Sequence, residues 1–214
     1  TFRMRVVLVL AAVVAAAAAM PHDVNPCSLL KSATIAFVTD IGAPEDLDYT
    51  QADMLNTYVN RVIQAAQSND DLTKLCISRQ TFYNTLGKNY ENCINRYAIF
   101  GLGDSTIGNA RVFEHLFRQL QFMCSGGFDI WTANRACITV ADRTSTCFAT
   151  FDGPVHQNNP VNLCGTGTQD YLNCIQNDYK TYCGGNHMAG WFGCERERLG
   201  WSADCNTLVC DVVN

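Results

Sequence analysis

Histidine is scarce in this chain, with four in 214 residues, and none stands at ligand spacing from another. No two cysteines are adjacent and no Cys-x-x-Cys occurs. Those two absences remove the usual zinc frameworks, and with them the secreted phospholipase signature, a histidine flanked by paired cysteines. No histidine has an aspartate three residues before it, so one common source of a catalytic base is missing. Charged residues make up 16% of the chain and form no basic run, which argues against nucleic acid or an anionic membrane surface as partner. Asn-x-Ser/Thr is absent, so no N-glycan is expected. Beyond residue 19 no apolar run is long enough to span a bilayer, which takes ~20 residues.

What is present begins with Met4-Arg5 and an unbroken apolar run from Val6 to Ala19. A positive start, an apolar stretch and the small-residue exit Ala17-x-Ala19 are the parts of a secretory signal. The expected cut follows Ala19, and Thr1-Phe2-Arg3 read as residues upstream of the initiator Met4. The mature chain then starts at Met20-Pro21-His22, is extracellular, and keeps no membrane anchor.

The most informative residues are the twelve cysteines, Cys27, Cys76, Cys93, Cys124, Cys137, Cys147, Cys164, Cys174, Cys183, Cys194, Cys205 and Cys210. An even count, all beyond the signal, reads as six disulfides formed in an oxidising compartment. Counting alone leaves on the order of ten thousand pairings open.

Hydrophobic periodicity points to a mainly α fold, a disulfide-rich helical bundle with antiparallel helical hairpins. The clearest helix is Thr50 to Ala66, where Met54, Leu55, Tyr58, Val59, Val62 and Ile63 share one face. Similar stripes run through Leu29 to Ile41, Val112 to Leu120 and Tyr171 to Tyr182, and Leu72, Leu75 and Ile77 suggest another helix. Cys137 to Phe151, with Ile138, Val140 and several Thr, is the one fair strand candidate. Residues 152–170, rich in Gly, Pro, Asn and Gln, read as a loop. The expected organisation is therefore a leader at 1–19, a cysteine-stapled helical region at 20–151, and a smaller cysteine-rich hairpin region at 152–214 that is either separate or part of the same domain.

Two blocks resemble each other. Cys124-Ser-Gly-Gly leads to Trp131 and Cys137; Cys183-Gly-Gly leads to Trp191 and Cys194. Each follows an amphipathic helix, and a glycine just past a helix end accepts the left-handed turn. One helical hairpin used twice is the reading, with the Trp packed back on the first helix. It places Cys174 and Cys194 at equal heights, with Gly190 and Gly193 allowing close approach, and so pairs Cys174 with Cys194. His115 stands where a partner for Cys137 would be, which sends Cys137 to Cys93 or Cys76.

Phe100-Gly-Leu-Gly-Asp104-Ser105, followed by Gly108-Asn109, resembles the first block of the GDSL family of secreted esterases. That resemblance implies Ser105 as nucleophile, with a base from an Asp-x-x-His block. The chain has no such block, and without a base a hydroxyl is a weak nucleophile. Asp104 or Ser105 is instead expected to cap the helix that runs through Leu120. Asp46-x-Asp48-x-Thr50 starts like a calcium loop, but Gln51 and Thr57 stand where Gly and a bidentate Glu are needed, so a solvated acidic loop is expected. His115 reads as a packed or surface residue.

No catalytic, metal or cofactor residue follows from these patterns. The expected function is that of a secreted non-enzymatic protein, acting by binding an extracellular protein or as part of a secretion or matrix. The alternatives are a carrier for a small apolar ligand, a toxin or defence protein, and a serine esterase.

Overall fold

The computed structural model describes residues 25–151 and 164–212, and the leader expected at 1–19 lies outside them. Among the described residues there are helices and connections but no strand. The helices are α1 (Leu30–Asp40), α2 (Ala52–Ala65), α3 (Asn69–Leu86), α4 (Tyr90–Cys93), α5 (Arg96–Phe100), α6 (Ile107–Met123), α7 (Phe128–Thr144), α8 (Cys147–Thr150), α9 (Thr166–Tyr182) and α10 (His187–Trp201).

The centre is α6. Phe113 and Phe117 on its buried side meet Phe82 of α3, and Phe117 reaches Phe37 of α1, with the Phe82 and Phe117 rings stacked at 4.2 Å. All four rings are fully buried. Ring pairs of this kind contribute about 0.5–1.5 kcal/mol each beyond the area they bury. The remaining faces of α6 take α2, α5 and α10. Thr106 caps its start, accepting from the Asn109 amide at 3.1 Å, so neither Asp104 nor Ser105 is the cap. Tyr49 donates to Asp104 at 2.7 Å instead, which ties the preceding turn to the chain before α2.

Six disulfides close on this frame, Cys27–Cys93, Cys76–Cys124, Cys137–Cys183, Cys147–Cys174, Cys164–Cys205 and Cys194–Cys210, with no cysteine left free. Such a set is consistent with an extracellular protein. Two of them, Cys137–Cys183 and Cys147–Cys174, join the first region to the second, and α9 and α10 also pack on α7.

Several sequence expectations need correction. Cys174 does not pair with Cys194, nor Cys137 with Cys93 or Cys76. The hairpin geometry behind that pairing holds. Gly184 and Gly185 take positive φ, and α10 lies so close to α9 that a Cβ on Gly190 would sit 2.7 Å from the Gln176 carbonyl oxygen. Height was matched but azimuth was not. Gly190, Gly193 and Glu197, three and four residues apart, make the face toward α9, and Cys194 is turned ~100° from Gly193, toward the C-terminal segment. Cys174 meets α8 instead.

The repeat is also looser than its sequence. Trp191 packs edge-on against Phe122 of α6 at 5.7 Å, across to the other hairpin. Gly127 lacks a positive φ; it is needed because a Cβ there would meet Phe122 and Phe192 at 2.8 and 2.9 Å.

The strand expected over Cys137 to Phe151 is instead the end of α7 followed by α8. Thr139 and Thr144 donate to the carbonyls of Arg135 and Val140, at 3.0 and 2.7 Å, and so are satisfied within a helix. Of the expected loop, residues 152–163 lie outside the described residues, while Thr166 to Asp170 open α9. The acidic loop before α2 is not solvated throughout. Asp48 is buried, accepts from the Thr50 amide at 2.8 Å and pairs with Lys31 at 3.4 Å.

Candidate functional site

An amphipathic helix has two faces, and the second face of α2 is wholly polar where it turns from the core. Asp53, Asn56, Thr57, Asn60, Arg61 and Gln64 recur at helical spacing. Leu55, Val59 and Ile63 hold another side in the core, and the polar stripe faces a cleft shared with α7 and the α9–α10 hairpin. Between them lies a cleft of about 460 Å³. That volume falls within the ~300–1,000 Å³ common for small-molecule sites.

Its floor is a buried polar network. Arg196 of α10 donates to Asp142 of α7 and to the Tyr179 hydroxyl of α9, both at 2.8 Å, and lies 3.4 Å from Glu197. Tyr179 donates in turn to Asp142. Glu197 accepts from Tyr171 at 3.1 Å and has the His115 imidazole 3.7 Å away. His115 meets Gln119 at 2.8 Å and stands edge-on to Trp201. The local sequence permits this because Gly193 and Gly200 carry no Cβ. At Gly193 a Cβ would collide with the Tyr179 ring at 2.7 Å, and at Gly200 with the His115 ring.

Charges buried without partners are very costly, and paired ones still lose several kcal/mol of hydration per ion. Here every charge has a partner. Burial works against ionised Glu197, but His115 and Arg196 outweigh it and hold the carboxyl below the ordinary glutamate range. Burial likewise opposes the charge on Arg196, and Asp142, Tyr179 and Glu197 more than offset it, so its guanidinium is held still more firmly protonated. Burial first, then the nearby carboxylates, pushes the Tyr171 and Tyr179 hydroxyls well above the usual phenol range. The floor thus holds the Glu197 carboxylate and the Arg196 guanidinium as ions, flanked by two phenols held as neutral donors.

No family model, curated protein or solved structure matches the chain. The site is therefore read from its own geometry.

Of the residues weighed from sequence as site candidates, His115 and Thr57 line the cleft, while Asp46, Asp48, Asp104 and Ser105 do not. The Ser105 hydroxyl donates to the backbone carbonyls of Tyr49 and Thr106 at 3.4 and 3.3 Å. The cysteines are all consumed in bridges; Cys147, Cys174 and Asp178 cluster at metal-like distances, but both sulfurs belong to one disulfide and cannot act as thiolate ligands. Sequence reasoning missed Asp142, Arg196 and Glu197. The signal available for part of the site was the polar stripe of α2, which a default reading assigns to solvent. A second network, Arg96 with Glu114 at 2.6 Å and with Asp204, and Arg118 with Glu114 at 2.9 Å, ties α5 and α6 to the segment after α10, outside the lining of this cleft.

Among the described residues no helix is long and apolar enough to cross a membrane.

Proposed function

We propose that this is a secreted, non-enzymatic protein that acts outside the cell by binding a small polar molecule in the cleft between α2, α6, α7, α9 and α10. The observation that carries the reading is the floor of the cleft. Arg196 and Glu197 are buried, the Asp142 side chain is nearly so, and the three form an ion network beside a 460 Å³ space. Replacing buried ion networks by apolar groups of like shape is often neutral or stabilising, so stability alone gives no reason to keep one.

The same walls speak against a carrier of an apolar ligand. Such a ligand would strip water from Asn56, Asn60, Gln64 and Gln119 without replacing their hydrogen bonds, at a cost of ~1–3 kcal/mol for each group left unpaired. They speak against catalysis as well. The Ser105 hydroxyl is engaged with backbone, and the ions on the floor are held by one another. The disulfides and the signal-like start support secretion.

The test is thermal unfolding of the non-reduced protein against a library of sugars, amino acids, polyamines and dicarboxylates, repeated on Asn60→Trp, which fills the cleft from α2. A compound that raises Tm in the parent and not in the variant supports the reading. No shift anywhere, or equal shifts in both proteins, refutes it.

A further inference from the structure

The cleft lining has three features that together select a ligand. The first is charge balance. Arg61, Arg111 and Arg196 are matched by Asp53, Asp142 and Glu197. The deep members already neutralise one another, and Arg111 lies 3.7 Å from Asp204. An ionic ligand finds no net opposite charge there and meets like charges at short range.

The second is the amide ladder. Asn56, Asn60 and Gln64 stand at i, i+4 and i+8 on α2, all half-buried. Asn60 donates to Asn56 at 3.2 Å and Gln64 to the Asp142 carbonyl at 3.1 Å, which sets their planes. Each amide offers a donor pair and an acceptor, so a ligand that meets them both ways must itself donate and accept at closely spaced positions. Hydroxyl groups on adjacent carbons do this.

The third is an apolar surface beside the polar one. Phe148 of α8 lines the cleft, is 56% exposed, and stands edge-on to Tyr171 at 6.2 Å, while Trp201 at the end of α10 is buried behind the lining. An aromatic face next to hydrogen-bonding groups suits a molecule with an apolar C–H face and a hydroxylated rim.

We infer that the cleft takes a neutral saccharide, its hydroxyls on the α2 amides and its C–H face toward the Phe148 ring. The inference rests on the cleft being a binding site and names what it binds. Apolar molecules fail on the amides, ions on the charge balance, and simple small polar molecules leave the rings unused.

Calorimetric titration of the non-reduced protein tests it, with chitotriose, cellotriose and maltotriose as saccharides and spermidine and citrate as charged probes. At least one saccharide should bind saturably. Asn60→Ala and Phe148→Ala should each weaken it about tenfold, the effect of removing one good hydrogen bond or one stacking surface. Both residues are partly solvent-facing, and circular dichroism checks that each variant keeps its helices. Saccharide binding that neither variant weakens overturns the assignment, as does the absence of saccharide binding. If spermidine or citrate binds the parent and not Asn60→Trp while the sugars do not, the saccharide inference falls and the binding reading stands. If nothing binds, both fall.

Discussion

The close contact of α9 and α10 sets the floor of the cleft, and Gly193→Ala tests it with a sign that helix propensity alone would reverse. In an ordinary helix this change stabilises by up to about 1 kcal/mol. Here the new methyl would lie 2.7 Å from two atoms of the Tyr179 ring and 3.0 Å from a third. Carbon atoms pack at ~3.5–4.0 Å, so the ring or the helix must give by about 1 Å. The ring cannot easily yield, because it is fully buried and its hydroxyl is held by Asp142 and Arg196. Overpacking of this kind costs ~1–3 kcal/mol. Set against the propensity gain, with the pinned ring favouring the upper half, the expected net loss is about 1–2 kcal/mol. At this chain length that lowers Tm by roughly 2–8 °C. The assay is thermal and urea unfolding with the disulfides intact. Gly108→Ala is the control, since Gly108 is helical and exposed and the nearest atom to its new methyl would be 3.7 Å away. It should be neutral or stabilising. If Gly193→Ala matches the control in sign, α9 and α10 are not packed through these glycines.

Other outcomes follow from single interactions. Thr106→Ala should cost about 1 kcal/mol, the worth of an N-cap, while Ser105→Ala should cost less and a fluorophosphonate probe should leave Ser105 unlabelled; the reverse order would restore Ser105 as cap. Because the folded Glu197 carboxyl sits below its ordinary value of 4.5, its contribution to stability is present above that pH and is lost as pH falls through the lower folded value. Glu197→Gln should therefore show a shallower fall of Tm between pH 5 and pH 3, scanned in steps of about half a unit, and an unchanged slope would remove Glu197 from the ion network.

Much of the helical framework was legible because burial writes itself into the sequence at period 3.6. The stripes of α1, α2, α6 and α9 are where the apolar residues recur, although Met54, inside the α2 stripe, is mostly exposed. In α3 the extent was underread: Ile77 points outward, while the Ser68–Asp71 capping box before Leu72 marks its true start. In α7, β-branched residues suggested a strand, and packing of Ile138 and Ala141 into the core overrode that preference. The pairing of cysteines and the cleft floor were not legible for a shared reason. Asp142 and Arg196 are 54 residues apart, and so are joined only by how the α9–α10 hairpin docks on α7. A single sequence records which residues want burial but not the azimuth at which two buried helices meet, as Cys194 illustrates.

That docking is what makes the cleft, and two disulfides fix it. Proteolytic peptide mapping of the protein without reduction reads them out directly. The account predicts one peptide linking Cys137 to Cys183, one linking Cys147 to Cys174, and Cys194 joined to Cys210. A peptide linking Cys174 to Cys194 would contradict it, because α9 would then be tied to α10 alone and the cleft against α2 and α7 would lose its anchor.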